Sequence, residues 1–146
     1  TDIPLKGRFG VMITPSVSIN DQGPFTFLVD TGAAMTILSD RLAEQLALVV
    51  ETKDDVQVGG LGGQEQAKQA QVDMLSIQTH QIRNLKVLIL NSKLLQTLGV
   101  DGVIGQDILN RYIQHWRFGR SGPLGDPQSG SLNLAPIKGK KTQPQI

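Results

Sequence analysis

Phe25-Thr26-Phe27-Leu28-Val29-Asp30-Thr31-Gly32-Ala33-Ala34-Met35-Thr36-Ile37-Leu38 carries a carboxylate from an apolar run straight into a glycine-containing turn. Phe25–Val29 reads as a buried strand, and an unpaired charge at the end of such a strand is costly to remove from water. Groups held at that cost are often kept for chemistry. The competing reading is a surface turn, because Asp and Gly both favour turns. A turn Asp, however, is expected after polar residues, and Asp30 follows Phe27-Leu28-Val29. A second apolar-then-glycine element, Val103-Ile104-Gly105, opens a predicted short helix over Gln106–Tyr112. Taken alone, it would be an ordinary join between a strand and a helix.

Working outward, Val11, Ile13, Val17 and Ile19 alternate with smaller or polar residues, the period of a half-buried strand. Asn20-Asp21-Gln22-Gly23-Pro24 is a turn, so the two strands form a hairpin that ends on Asp30. Ser39 is the expected N-cap of a short helix over 40–47, with Asp40 in its first turn and Leu42, Ala43, Leu46 and Ala47 on one face. Asp54–Val58 and Gln64–Val72 flank Gly59-Gly60-Leu61-Gly62-Gly63, a hairpin tip with high backbone freedom. Leu75 and Ile77, then Ile82–Leu90, give a further strand pair. Residues 91–102 are expected to be a loop, Ile113–Phe118 a strand and Ser131–Ala135 a last strand. Residues 1–8 read as a lead-in, 9–135 as the domain, 119–130 as a mobile loop and 136–146 as a flexible basic tail.

The 146 residues fit one domain, too short for two lobes. Sixteen glycines and seven prolines with little helical periodicity favour β structure with many turns. The net charge is +1; without residues 138–146 the body holds eleven basic and thirteen acidic residues, so nothing calls for a nucleic-acid partner. The lone Trp116 provides no stacking platform for bases. The chain has no cysteine, which excludes a thiol nucleophile and a thiolate metal site. His80 and His115 have no carboxylates at metal-ligand spacing, and no Ser occupies a G-x-S-x-G elbow. No metal and no organic cofactor are therefore expected. No apolar run approaches the length of a membrane helix. Because the sequence begins at Thr1, a longer or membrane-tethered parent stays open and the compartment is unassigned.

Three elements stand in a definite order: Leu28–Ala33 with its Asp30-Thr31-Gly32, the glycine-rich Gly59–Gly63, and Ile104-Gly105-Gln106-Asp107-Ile108-Leu109. In this the chain resembles the retropepsin-like aspartic proteases, in particular their bacterial single-domain relatives, over roughly residues 9–118 and the final strand. The resemblance implies a mostly β, single-lobe acid protease fold with short helices and a closed flap hairpin. It implies an aspartic endopeptidase acting on polypeptide, with Asp30, Thr31 and Gly32 as the catalytic triplet. Asp30 would activate water and shuttle protons, and the Thr31 hydroxyl would tie its loop to a partner loop. Gly32 would let a second carboxylate and the substrate backbone approach. Leu28, Ala33, Ala34, Gly60, Leu61, Gly62 and Val103 would bind substrate, with Leu61 on the flap. A phosphate-cradling role for Gly59–Gly63 is disfavoured, as no Lys-Ser or Lys-Thr follows.

Only one Asp-Thr-Gly is present, and two carboxylates are needed. Asp101 lacks the hydroxyl residue and the apolar strand, and Asp54-Asp55 lie in a polar stretch. The expected solution is a two-fold homodimer whose axis passes between two copies of Asp30; the pair would share a proton, an effect for which aspartic proteases are the standard example. Viral members pair an acidic residue where Ala34 stands with an Arg where Gln106 stands, and this chain has neither. Asp107 would cap the helix or accept from nearby backbone N–H groups. The alternative, from a different class, is the same fold used as a binding or dimerisation module without turnover.

Overall fold

Alternating apolar residues build nearly all of the architecture. The structure is a computed structural model and describes residues 2–58, 65–119 and 129–137. In chain order the elements are β1 (Ile3–Arg8), β2 (Val11–Ile19), β3 (Gln22–Val29), β4 (Ile37–Ser39), α1 (Asp40–Gln45), β5 (Glu51–Val58), β6 (Glu65–Ile77), β7 (His80–Leu90), α2 (Lys93–Leu98), β8 (Gly102–Ile104), α3 (Gln106–Leu109), β9 (Tyr112–Phe118) and β10 (Ser129–Pro136). Among the described residues the strands join in the order β5-β6-β7-β4-β8-β3-β2-β1-β10-β9. A second pairing, of β6 with β2 through Val17↔Ile77 and Ile19↔Leu75, closes part of this sheet on itself. The result is mostly β, with three short helices among the described residues, as the turn-rich composition suggests.

The β2–β3 hairpin turns at Asn20-Asp21, both at positive φ (50° and 64°). That is the handed two-residue turn that suits the twist of paired strands. The Asn20 side chain accepts from Asp73 N and Met74 N at 2.9 and 3.0 Å, which pins the turn to β6. At the other end of the hairpin, β3 runs parallel to β8 with Leu28 opposite Val103 and Val29 opposite Ile104. β4 then pairs antiparallel with β8 and parallel with β7, so the chain after Asp30 folds back beside the strand that leads to Gly105.

The buried side chains fall into two clusters. The larger includes Phe27, Val29, Leu38, Leu75, Ile82, Ile104, Ile108 and Leu109. The smaller gathers Ile13, Leu28, Ile37, Leu88, Leu90, Leu95, Leu98 and Val103. Phe27 and Leu28 point into different clusters because successive strand residues face opposite ways. Asp30 therefore leaves a strand that is held on both faces.

Several sequence expectations change. Residues 3–8 are a strand rather than a lead-in: Ile3 and Leu5 are buried, and β1 sits between β2 and β10. The expected loop 91–102 contains α2, whose N-cap Ser92 accepts from Leu94 N and whose C-terminus ends at Gly99 with φ 70°. The helix expected over 106–112 is one turn, and β9 begins at Tyr112. Residues 65–77, expected as two strands, are one continuous β6. Ser39 does cap α1, accepting from Leu42 N at 3.1 Å. β5 and β6 pair as a hairpin up to Val58↔Glu65. Its tip, Gly59–Gly63, lies outside the described residues, as do most of 119–130 and of the tail; β10 already begins at Ser129.

Candidate active site

Asp30 continues the β3–β8 ladder by one bond beyond the last strand pair, its N–H donating to Ile104 O at 3.0 Å. The backbone then turns. Ala33 N donates to Asp30 O at 3.2 Å, and Gly32 N donates to the Asp30 carboxylate at 2.8 Å. A side-chain carbon at Gly32 would sit 3.2 Å from Asp30 Oδ1, tighter than most real contacts, so glycine suits this turn. Asp30 itself is half-buried, and Thr31 and Gly32 are exposed.

The loop after Asp30 is gripped by the first turn of α3. Gln106 N donates to Ala33 O at 2.7 Å and Asp107 N to Ala34 O at 3.1 Å. Gln106 Nε2 donates to Thr31 O at 2.8 Å. The Asp107 carboxylate accepts from Thr36 N at 3.0 Å and from the Thr36 hydroxyl at 2.8 Å. Thr36 Oγ1 in turn accepts from Gly105 N at 3.3 Å. This proximity requires glycine at 105, because a Cβ there would lie 2.7 Å from Met35 O and 2.8 Å from Ala33 O. Of the two roles expected for Asp107, it takes the second, accepting a backbone N–H; α3 has no side-chain cap.

Asp30 and Thr31 lie on the wall of a groove of about 560 Å³, shared with Gly10, Val11, Met12, Leu28, Val29, Trp116 and Phe118. The rings of Trp116 and Phe118 stack with centroids 6.2 Å apart, and Phe118 is 57% exposed. Of the residues expected to bind substrate, Leu28 lines this groove. Val103 is fully buried in the same cluster as Leu28 and supports it from within. Ala33 is half-buried and Ala34 exposed, with both their carbonyls held by α3. Gly60, Leu61 and Gly62 lie outside the described residues. The sequence reading missed Met12, Trp116 and Phe118 on the groove, and Thr36 and Gln106 beneath the loop.

The other carboxylates on the returning segment are engaged elsewhere. Asp101 accepts from Thr26 N at 3.2 Å, four strand residues back from Asp30, about 13 Å along an extended chain. Asp107 is committed to Thr36. Among the described residues no group of three or more His, Asp or Glu side chains could hold a metal ion, and no helix is long and apolar enough to cross a membrane. His80 packs edge-on against Tyr112 with ring centroids 5.1 Å apart. Burial, with a smaller contribution from the positive N-terminus, lowers its pKa below the usual 6.5.

A family described as "gag-polyprotein putative aspartyl protease" matches residues 16–111, which include Asp30 and α3. A crystal structure of a retropepsin-like aspartic protease from Rickettsia conorii superposes with a TM-score of 0.62 at 18% identity, covering 94% of each chain. The EIAV protease, solved with an inhibitor bound, gives a TM-score of 0.50 at 24% identity over 64% of this chain and 81% of its own. The shared fold is that of retropepsin-like proteases. A search of curated protein sequences found no match.

Proposed function

This chain belongs to the gag-type aspartyl protease family, and we propose that it is an endopeptidase in which water is activated between the Asp30 carboxylates of two identical subunits. One observation carries the reading: Asp30 is held at a strand end beside an apolar groove, while Asp101 and Asp107 on the returning segment are bound elsewhere. A single carboxylate cannot act as base and acid in the same step, so a second copy must supply the other. With both Asp30 groups at close range, one keeps a proton; the ionised one takes a proton from water and the other donates to the carbonyl oxygen of the scissile bond. Leu28, Met12, Trp116 and Phe118 give the groove an apolar lining that suits hydrophobic side chains near that bond. The glycine-rich segment 59–63, between β5 and β6, is the proposed flap that covers substrate and excludes water.

The test is digestion of an unfolded protein at pH 4–7 by the wild type and by Asp30→Asn, with and without a pepstatin-type inhibitor. Cleavage that disappears in the folded variant supports the proposal. Equal cleavage by both proteins overturns it. A stable dimer with no turnover on any unfolded substrate would leave the binding-module reading in its place.

A further inference from the structure

Gln106 grips the catalytic loop twice. Its main-chain N–H donates to Ala33 O at 2.7 Å and its side-chain Nε2 donates to Thr31 O at 2.8 Å, so one residue holds the carbonyls on either side of Gly32. The second contact has a particular geometry. The Thr31 carbonyl and the Gly32 N–H belong to one peptide unit, and that N–H donates to Asp30 Oδ1 at 2.8 Å. A peptide unit is planar and trans, so fixing the direction of its C=O fixes the opposite direction of its N–H.

We propose that Gln106 is a positioning residue for the reaction, acting on Asp30 through the Thr31–Gly32 peptide; this rests on the reading of Asp30 as catalytic. The chain of contacts runs from the Gln106 amide to Thr31 O, across the peptide, and from Gly32 N–H to the carboxylate. Two consequences follow. The peptide plane cannot swing, so the carboxylate oxygen that accepts from Gly32 is fixed in place. Donation to Thr31 O also polarises the peptide and strengthens its N–H as a donor, and a hydrogen bond to the ionised carboxylate favours ionisation. Gln106 Oε1 is buried with no hydrogen-bond partner among the described residues, so the amide is oriented by its donor end. Nothing in this clamp carries a charge.

The substitution Gln106→Glu separates this role from packing, because it keeps the shape and makes the donor depend on pH. While protonated, the substituted carboxylic acid still donates its one hydrogen to Thr31 O; once ionised, it only accepts and faces a carbonyl oxygen with a negative charge. The ratio of variant to wild-type kcat/KM should therefore be within about threefold of unity near pH 4 and fall at least tenfold by about pH 6.5, through the ordinary carboxylate range near ~4.3. Gln106→Met, which has no donor at any pH, should lower kcat about tenfold with little change in KM and move the acidic limb of its kcat/KM profile upward. A Gln106→Glu ratio that stays flat with pH, or a folded Gln106→Met with an unmoved limb, overturns the proposal. If Gln106→Glu fails to fold, the limb in Gln106→Met decides. If the wild type cleaves nothing, the protease reading fails separately, and the clamp is then read by NMR. In that case the Gly32 amide proton should move upfield in Gln106→Met; an unchanged resonance overturns the clamp as well.

Discussion

Removing one buried hydroxyl should loosen the loop after Asp30 more than its size suggests. Thr36 is fully buried, and its hydroxyl both donates to Asp107 Oδ1 at 2.8 Å and accepts from Gly105 N at 3.3 Å. Thr36→Val keeps the shape and deletes both contacts. A lost hydrogen bond to a carboxylate costs about 1.5–3 kcal/mol, and the Gly105 N–H left without an acceptor about 1 kcal/mol, taken at the low end because its bond is long. The extra buried methyl returns about 0.8 kcal/mol. The net loss is about 2–3 kcal/mol. With a urea slope of about 2 kcal/mol per molar for a chain of this size, the midpoint should fall by about 1–1.5 M. The comparison is made at one fixed protein concentration, because dimerisation couples to stability. Thr36→Ser, which keeps the hydroxyl, should recover most of the loss. A midpoint in Thr36→Val within about 0.3 M of wild type, where the error of such measurements lies, would show that the Thr36–Asp107 contact does not hold the loop.

Dilution tests the shared site: specific activity should drop as the protein is diluted through its dimer dissociation constant, while constant specific activity from a particle of monomeric mass by light scattering refutes it. Ala33→Ser places a hydroxyl next to the Asp30 turn that can bond the ionised carboxylate, so the acidic limb of kcat/KM should move to lower pH; an unmoved limb in the folded dimer assigns that pKa to other groups. His80 has a folded pKa below its usual 6.5, set first by burial and then by the N-terminal charge. Its neutral form is thus favoured in the fold, and the stability it contributes is present above pH 6.5 and is lost as pH falls through the lowered value. His80→Phe keeps an aromatic ring against Tyr112 and should lose less stability than wild type between about pH 7.5 and 5, read from urea midpoints; equal losses refute the link.

The part of the fold around Asp30 was legible because it is local. Phe25–Val29 names a strand, Asp30-Thr31-Gly32 a turn at its end, and Val103-Ile104-Gly105 a strand meeting a helix. Gly105 is required for a different reason, since a side-chain carbon there would lie under 3 Å from two backbone carbonyls. Helix α2 has the ordinary signals too: Ser92 as cap, Leu95 and Leu98 on one face and Gly99 as stop. They are easily passed over because the helix has only six residues. β1 is hidden for a different reason, since Pro4 and Gly7 weaken a short alternation that becomes a strand only between β2 and β10. The contacts of Thr36 with Asp107 and of Gln106 with Thr31 span 71 and 75 positions. No periodicity carries information over that distance. Trp116 and Phe118 reach the groove because β10 pairs with β1 and carries β9 on its other edge, which is likewise a product of topology.

The exchange of a charged pair for an amide at the base of the loop has a physical consequence. The resemblance read from the sequence implies an acid paired with an Arg at the positions of Ala34 and Gln106 in viral members. An exposed ion pair of that kind is weakened by salt and is lost when its carboxylate takes up a proton. Gln106 meets neither limit, because its amide does not titrate and its bond to Thr31 O is short-ranged. The remaining carboxylate beneath the loop, Asp107, is satisfied by a backbone N–H and a buried hydroxyl rather than by a cation. The grip of Gln106 on Thr31 O therefore depends on no titrating group. Under the proposed mechanism, in which two carboxylates share one proton, the support of the loop should titrate outside the range in which the pair does. An amide clamp meets that requirement at every pH at which the chain is folded.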